Sequence, residues 1–278
     1  MTGPTTTAPA APATPGTPHE DARPHIGHAM ASEWTKLISV RSTMWTLGTL
    51  VVIVVGIGLL FVSQTADEDY VQMPFTTPAL FGLLVGQLAV IVLGVLTITS
   101  EHGTGLVRTT FTAAPDRHRV LTAKYLVFGA TALAATLGSV FVVAAAAMAV
   151  HSGSGAGPHS PGEWGGALAG CLYVTLLGAL ALAVGALVRH SAGAITLMLG
   201  LVTLPPVIGG MLGYWEASAR IGEIILQYNV PVALMQLFGM PTGQDKVLPG
   251  DLPQIALLLL VTGAAVAASY VVVGRRDV

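Results

Sequence analysis

The stretch ALFGLLVGQLAVIVLGVLTITS, residues 79–100, contains no Asp, Glu, Lys or Arg and is closed by Glu101. At ~1.5 Å of rise per helical residue, roughly 20 residues cross the ~30 Å hydrocarbon layer, so this stretch alone can span a bilayer. Five further charge-free stretches lie on either side of it, at residues 45–63, 125–150, 164–188, 191–215 and 252–274. Backbone N–H and C=O groups in lipid must be satisfied within the segment, which leaves helices as the structure for apolar runs of this length. The sequence therefore predicts an all-α membrane protein with six transmembrane helices.

Direction follows from the basic residues, because short loops rich in Lys and Arg stay cytoplasmic. Arg23, Lys36, Arg41, Arg108, Arg117, Arg119, Lys124, Arg189, Arg275 and Arg276 fall in the two tails and in the second and fourth loops, and only Arg220 and Lys246 fall elsewhere. Ten against two predicts that both termini are cytoplasmic, as an even number of spans requires. A formal net charge of −2 argues against nucleic acid as a partner, since a surface that tracks phosphates needs a basic excess. The single cysteine, Cys171, falls inside the fourth span and reads as a small buried residue.

Residues 1–28 are expected to be a disordered cytoplasmic tail, with Pro4, Pro9, Pro12, Pro15, Pro18 and Pro24 interrupting any helix. The tail histidines His19, His25 and His28 have no scaffold to fix metal-ligand geometry, so no metal site is expected there. Residues 29–278 form the six-span domain. In its first segment Trp34, Leu37, Ile38 and Arg41 share one helical face while Lys36 points away from it. Two arrangements fit: a short amphipathic helix lying in the inner interface and turning at about Ser42 into the first span, or a plain extension of that span.

Small residues four apart, Gly82 and Gly86, Gly166 and Gly170, Gly209 and Gly213, allow close backbone approach in lipid, within a bundle or between copies. Pro205 and Pro206 are expected to kink the fifth span. In the long outer connection, 216–251, the apolar-rich run from Ile221 to Phe238 with Pro231 inside suggests short helices dipping back towards the outer leaflet.

The inner connection, 101–124, carries more information. Gly103 and Gly105 break the second span after Glu101, Leu106, Val107 and Phe111 offer apolar contacts beside Arg108, and Pro115 starts a helix that takes Arg117, Arg119 and Lys124 into the third span. A soluble partner pressing on this connection would move two rigid rods together. The plainer reading is a solvated basic loop that only enforces topology.

Chemistry within the chain is sparse. A phosphate-binding loop needs Gly-Lys followed by Ser or Thr, and no Gly-Lys pair occurs. His-Glu-x-x-His and Gly-x-Ser-x-Gly are likewise absent. His151, Ser152, Ser154 and His159 lie together, but Gly153, Gly155, Gly157 and Pro158 would not hold a nucleophile and base in register. Within the charge-free spans no ionisable side chain marks an ion relay. Gln87, Thr97, Thr99, Tyr173, Thr175, Thr196 and Thr203 either line a path for an amphipathic solute or bond to neighbouring helices and their own backbone.

The run Glu33, Trp34, Lys36, Leu37, Arg41, Ser42, Trp45 resembles the amphipathic lead-in of permease subunits of the ABC-2 type. The loop residues Glu101, Gly105, Arg108, Thr109, Thr110, Pro115, Arg117 and Lys124 are similar to the cytoplasmic loop of that family, and Arg275, Arg276, Asp277, Val278 resembles its C-terminal end. The chain departs from the pattern at His102 and Gly103, where an aromatic and a basic residue are expected. The resemblance implies a permease half-transporter in a bacterial plasma membrane, an exporter with no cofactor of its own. Two copies, or two related permeases, would form the translocation path among membrane lipids and dock on ATP-binding subunits that bind and hydrolyse ATP. Coupling would run through Glu101, Gly105, Arg108, Phe111, Pro115, Arg117 and Lys124, with Trp34, Lys36, Leu37 and Arg41 on the interfacial helix. The other readings are an ion-gradient-driven carrier, or a membrane anchor or regulatory subunit that transports nothing itself.

Overall fold

A computed structural model of the chain describes residues 25–66, 73–104, 117–152, 161–240 and 252–275. Among the described residues there are nine helices: α1 (Ile26–Ser39), α2 (Arg41–Gln64), α3 (Thr77–Thr104), α4 (Arg117–Val150), α5 (Pro161–Val188), α6 (Ser191–Leu212), α7 (Ala219–Gln227), α8 (Val230–Leu237) and α9 (Leu252–Arg275). Six of them, α2 to α6 and α9, are long and apolar enough to cross a membrane.

Helix boundaries follow local chemistry. Val40 adopts an extended conformation (φ −83°, ψ 114°), so α1 ends there and α2 starts afresh. The break falls two residues before the expected turn at Ser42, and it excludes α1 as a continuous extension of the first span. Pro78 and Pro161 sit in the first turns of α3 and α5, where a missing N–H costs no helical bond. Between α5 and α6 the chain reverses on Arg189, in the left-handed region (φ 57°), and His190, whose Nδ1 accepts from the Gly193 N–H at 3.0 Å. The fourth and fifth spans thereby form a tight hairpin. Helix α6 runs on as one helix through Pro205 and Pro206.

The outer connection forms two short helices, α7 and α8, across the apolar-rich run. Asn229 separates them, its Oδ1 accepting from the Val232 N–H at 2.8 Å, and Pro231 fits the second position of α8. Helix α8 buries Ala233, Leu234 and Leu237.

Two helices form the centre. In the most apolar windows of α3 and α5, 61% and 67% of residues are buried, against 17% for α6 and α9, so the latter two face outward over most of their surface. Leu80, Leu83, Ile91 and Leu93 of α3, Leu177 and Leu182 of α5 and Phe128 of α4 are among the large side chains that are fully buried. Where α3 crosses α5, a β-carbon on Gly94 would collide with the carbonyl of Gly178. The three glycine pairs are mostly used inside the chain. Gly82 and Gly86 receive Val54 of α2, Gly166 and Gly170 receive Leu237 and Phe238, and Gly209 receives Gly222 and Leu226 of α7; Gly213 alone of the six has no such close contact. These contacts build the bundle by packing, the force that holds helices together in lipid.

All four Trp residues are exposed: Trp34 and Trp45 near one end of the bundle, Trp164 and Trp215 near the other, with the exposed Tyr214 beside Trp215. Aromatic rings with a polar edge favour the two bilayer interfaces, so their placement fits the spanning geometry independently of hydropathy.

Candidate functional site

Four charged side chains meet where α1, α3 and α4 come together. Lys124, about two turns inside α4, donates to Glu33 Oε2 of α1 at 2.5 Å, to Glu101 Oε1 of α3 at 2.9 Å and to the Thr97 carbonyl at 3.3 Å. Lys36 donates to Glu33 Oε1 at 2.7 Å and to Glu101 Oε1 at 3.1 Å. The side chains of Glu33 and Lys124 are each 5% exposed, Glu101 12% and Lys36 30%. Two carboxylates and two ammonium groups balance, which is what permits them to leave water. A cavity of about 180 Å³ adjoins them, lined by Ser39, Val40, Thr43, Thr97 and Ser100 in addition to the charged groups.

Burial alone would draw the Lys36 pKa down. The hydrogen bond to Glu33 and the negative charges of Glu101 and Glu33 outweigh it, and its pKa is raised above the ordinary 10.5. Lys36 therefore stays protonated throughout the physiological range.

This cluster corrects the sequence reading in one respect. Lys36 does not point away from the packed side of α1; it turns into the bundle, because the buried face of α1 is formed by Glu33 and Leu37 while Trp34 and Ile38 are exposed. Lys124 enters the third span within a helix, as the sequence reading expects, and what the structure adds is its burial. Helix α4 begins eight residues before the third charge-free stretch, so Lys124 is inside a continuous helix and almost inaccessible.

Of the residues expected to serve coupling, Glu101 and Lys124 are brought together, and Arg117 lies at the start of α4 with its guanidinium towards the Val273 carbonyl of α9 (3.5 Å). Gly105, Arg108, Phe111 and Pro115 lie outside the described residues. Arg41 opens α2 and is exposed.

A second seam ties the start of α4 to the end of α9. The His118 and Tyr270 rings stack at 5.7 Å, Thr122 and Tyr270 share a hydroxyl hydrogen bond of 2.7 Å, and Tyr125 and Ser269 one of 3.1 Å. Helix α1 and the last turns of α9 thus lie at the same end of the bundle as the connection between α3 and α4.

The polar groups within the spans turn mainly to their own helices. Thr97, Thr99, Thr175, Thr196 and Thr203 each donate to the carbonyl four residues earlier, at 2.7–2.9 Å, and Gln87 donates to Leu84. Such bonds satisfy the hydroxyls without building a polar path. Among the described residues no group of three His, Cys, Asp or Glu is arranged to hold a metal, and the exposed His25 and His28 rings stand 6.4 Å apart. No protein-family model and no curated protein matches this chain.

Glu33 is the member of the cluster to which the sequence reading gave no role beyond the family resemblance. A carboxylate three residues before a lysine on a short helix reads as a surface pair, and its true partner is 91 residues away.

Proposed function

We propose that this chain is the membrane-spanning permease subunit of an ATP-driven transporter, an exporter of the ABC type. In this reading it lies in a bacterial plasma membrane with both termini cytoplasmic, and pairs with a second copy or a related permease. Separate ATP-binding subunits dock on the connection between α3 and α4. The observation that carries the reading is the bond between Lys124 and Glu101, 2.9 Å long, which fastens α3 to α4 on either side of that connection. Force applied to the connection then moves two rods together, as coupling to an external motor requires. Ten of the twelve basic residues fall on the side to which both chain ends and this connection are assigned, in keeping with a cytoplasmic docking face. The residues of this chain hold no phosphate-binding loop, so in this reading hydrolysis is supplied from outside them.

Co-purification with a soluble ATPase is the first test. Replacing Arg108 and Phe111 by Ala is expected to weaken that association or to change basal hydrolysis at least severalfold. Binding and hydrolysis both unchanged would remove the connection from the coupling path.

The buried carboxylates Glu33 and Glu101 support a second reading, a carrier driven by an ion gradient, in which they would exchange a proton or a cation. Both are already neutralised by lysines, which weighs against it. Uptake or efflux by vesicles holding this chain alone, with a gradient and no ATP, would decide for the carrier.

A further inference from the structure

The four charges of the cluster divide into two neutral pairs, and each pair belongs to one structural body. Glu33 and Lys36 both sit on α1, bonded at 2.7 Å; Glu101 and Lys124 join α3 to α4, bonded at 2.9 Å. Among the described residues, the ion pairs that cross from α1 to the bundle are Glu33 with Lys124 at 2.5 Å and Lys36 with Glu101 at 3.1 Å. Breaking only the crossing bonds leaves no charge without a counter-ion. The large penalty for an uncompensated buried charge is therefore avoided when the two bodies part.

We infer that α1 is a hinged arm, closed on the α3–α4 pair by a reversible ionic clasp of Glu33, Lys36, Glu101 and Lys124. The hinge is Val40, a single extended residue between α1 and α2. The neighbouring cavity of about 180 Å³, lined by Ser39, Thr43, Thr97 and Ser100, places hydroxyls beside the charges as they separate. Glu33 and Leu37 are the buried residues of α1, so the fully covered part of the arm is one charged group and one apolar side chain. This device belongs to the fold and stands whether or not the chain transports anything.

The test uses the full chain with a cysteine in place of Leu37, and with native Cys171, buried in α5, as the reporter of an intact bundle. Both thiols are reacted with a maleimide in detergent and followed separately by mass spectrometry. Glu33→Gln is expected to speed labelling at position 37 about tenfold or more while Cys171 stays protected. Reversing all four charges, Glu33→Lys, Lys36→Glu, Glu101→Lys and Lys124→Glu, keeps each pair neutral and is expected to return the rate towards that of the unaltered clasp. Should Glu33→Gln not accumulate, Glu33→Asp, which keeps the charge but withdraws it by one methylene, is read on the same two thiols. Equal labelling at position 37 with and without Glu33 would overturn the inference, because α1 would then be held by something else. Cys171 becoming reactive together with position 37 would also overturn it, because the cluster would then hold the bundle itself.

Discussion

Lys124→Met removes one of the two cations from the cluster and leaves a side chain of similar length. Glu33 and Glu101 would then share Lys36 alone, which bonds both and is itself 30% exposed. Removing one partner of a buried ion pair costs ~3–5 kcal/mol where nothing else compensates. Lys36 compensates in part, so the expected loss is about 2–4 kcal/mol. For a chain of this size each kcal/mol moves the midpoint by roughly 2–4 °C, so Tm should fall by about 4–16 °C. Glu33→Gln should cost less, about 1–2 kcal/mol, since the charge left in excess can be borne by the half-exposed Lys36 at the cluster's edge. The assay is thermal unfolding in detergent, read as the reaction of Cys171, buried in α5, with a thiol-specific fluorophore. Both single variants and the double variant complete a cycle, and the contact at 2.5 Å predicts a coupling between Glu33 and Lys124 of about 1–3 kcal/mol. A midpoint for Lys124→Met within about 1 °C of the unaltered chain, or strict additivity in the double variant, would refute the cluster as drawn.

Gly94→Ala places a methyl group against the Gly178 carbonyl, where neither backbone can yield without moving α3 from α5, and should cost roughly 1–3 kcal/mol or prevent accumulation. Gly129→Ala on α4 meets nothing within 4 Å and should leave the midpoint unchanged or slightly raised, so the pair of variants measured side by side separates packing from propensity. For Lys36 the folded pKa lies above the ordinary 10.5, so the folded state holds the proton longer than the unfolded state does. Its contribution is therefore complete below pH 10.5 and lost only as pH rises through the folded value; removing it with Lys36→Gln should lower Tm equally at pH 7 and pH 9, and unequal losses would contradict that sign.

The existence of the six spanning helices was legible because it rests on length and absence of charge, and both are properties of the sequence alone. Which of them lie inside was not. In lipid the outer face of a bundle is as apolar as its core, so the amphipathic signal that orients a helix in water disappears. The mean hydropathies of α3 and α9, 2.5 and 2.3, barely differ although one is central and the other peripheral. Glycine held part of the missing information: Gly94 and Gly178 mark the central crossing, and Gly82, Gly86, Gly166 and Gly170 mark close contacts with α2 and α8. Yet Gly48, Gly56, Gly129 and Gly138 face nothing nearby, so a glycine in a span does not by itself identify a contact.

The ion cluster was hidden for another reason, that each of its members has a sufficient local explanation. Glu33 and Lys36 look like a surface pair on a short helix, while Glu101 and Lys124 look like the charges that end one span and precede the next. Only the fold brings together residues 91 and 65 positions apart. Four charges largely withdrawn from water are a poor choice for stability alone, since apolar side chains of the same volume would hold the junction at least as well. They suit a junction that opens. An apolar seam between α1 and the bundle would cost ~25 cal/mol for every Å² shown to water, whereas charges that separate into two neutral pairs regain their hydration. The same argument orders the cluster's members by consequence. Lys124 and Glu101 bind the rods to each other and should matter to the bundle, while Glu33 and Lys36 bind the arm and should matter to whether it is closed.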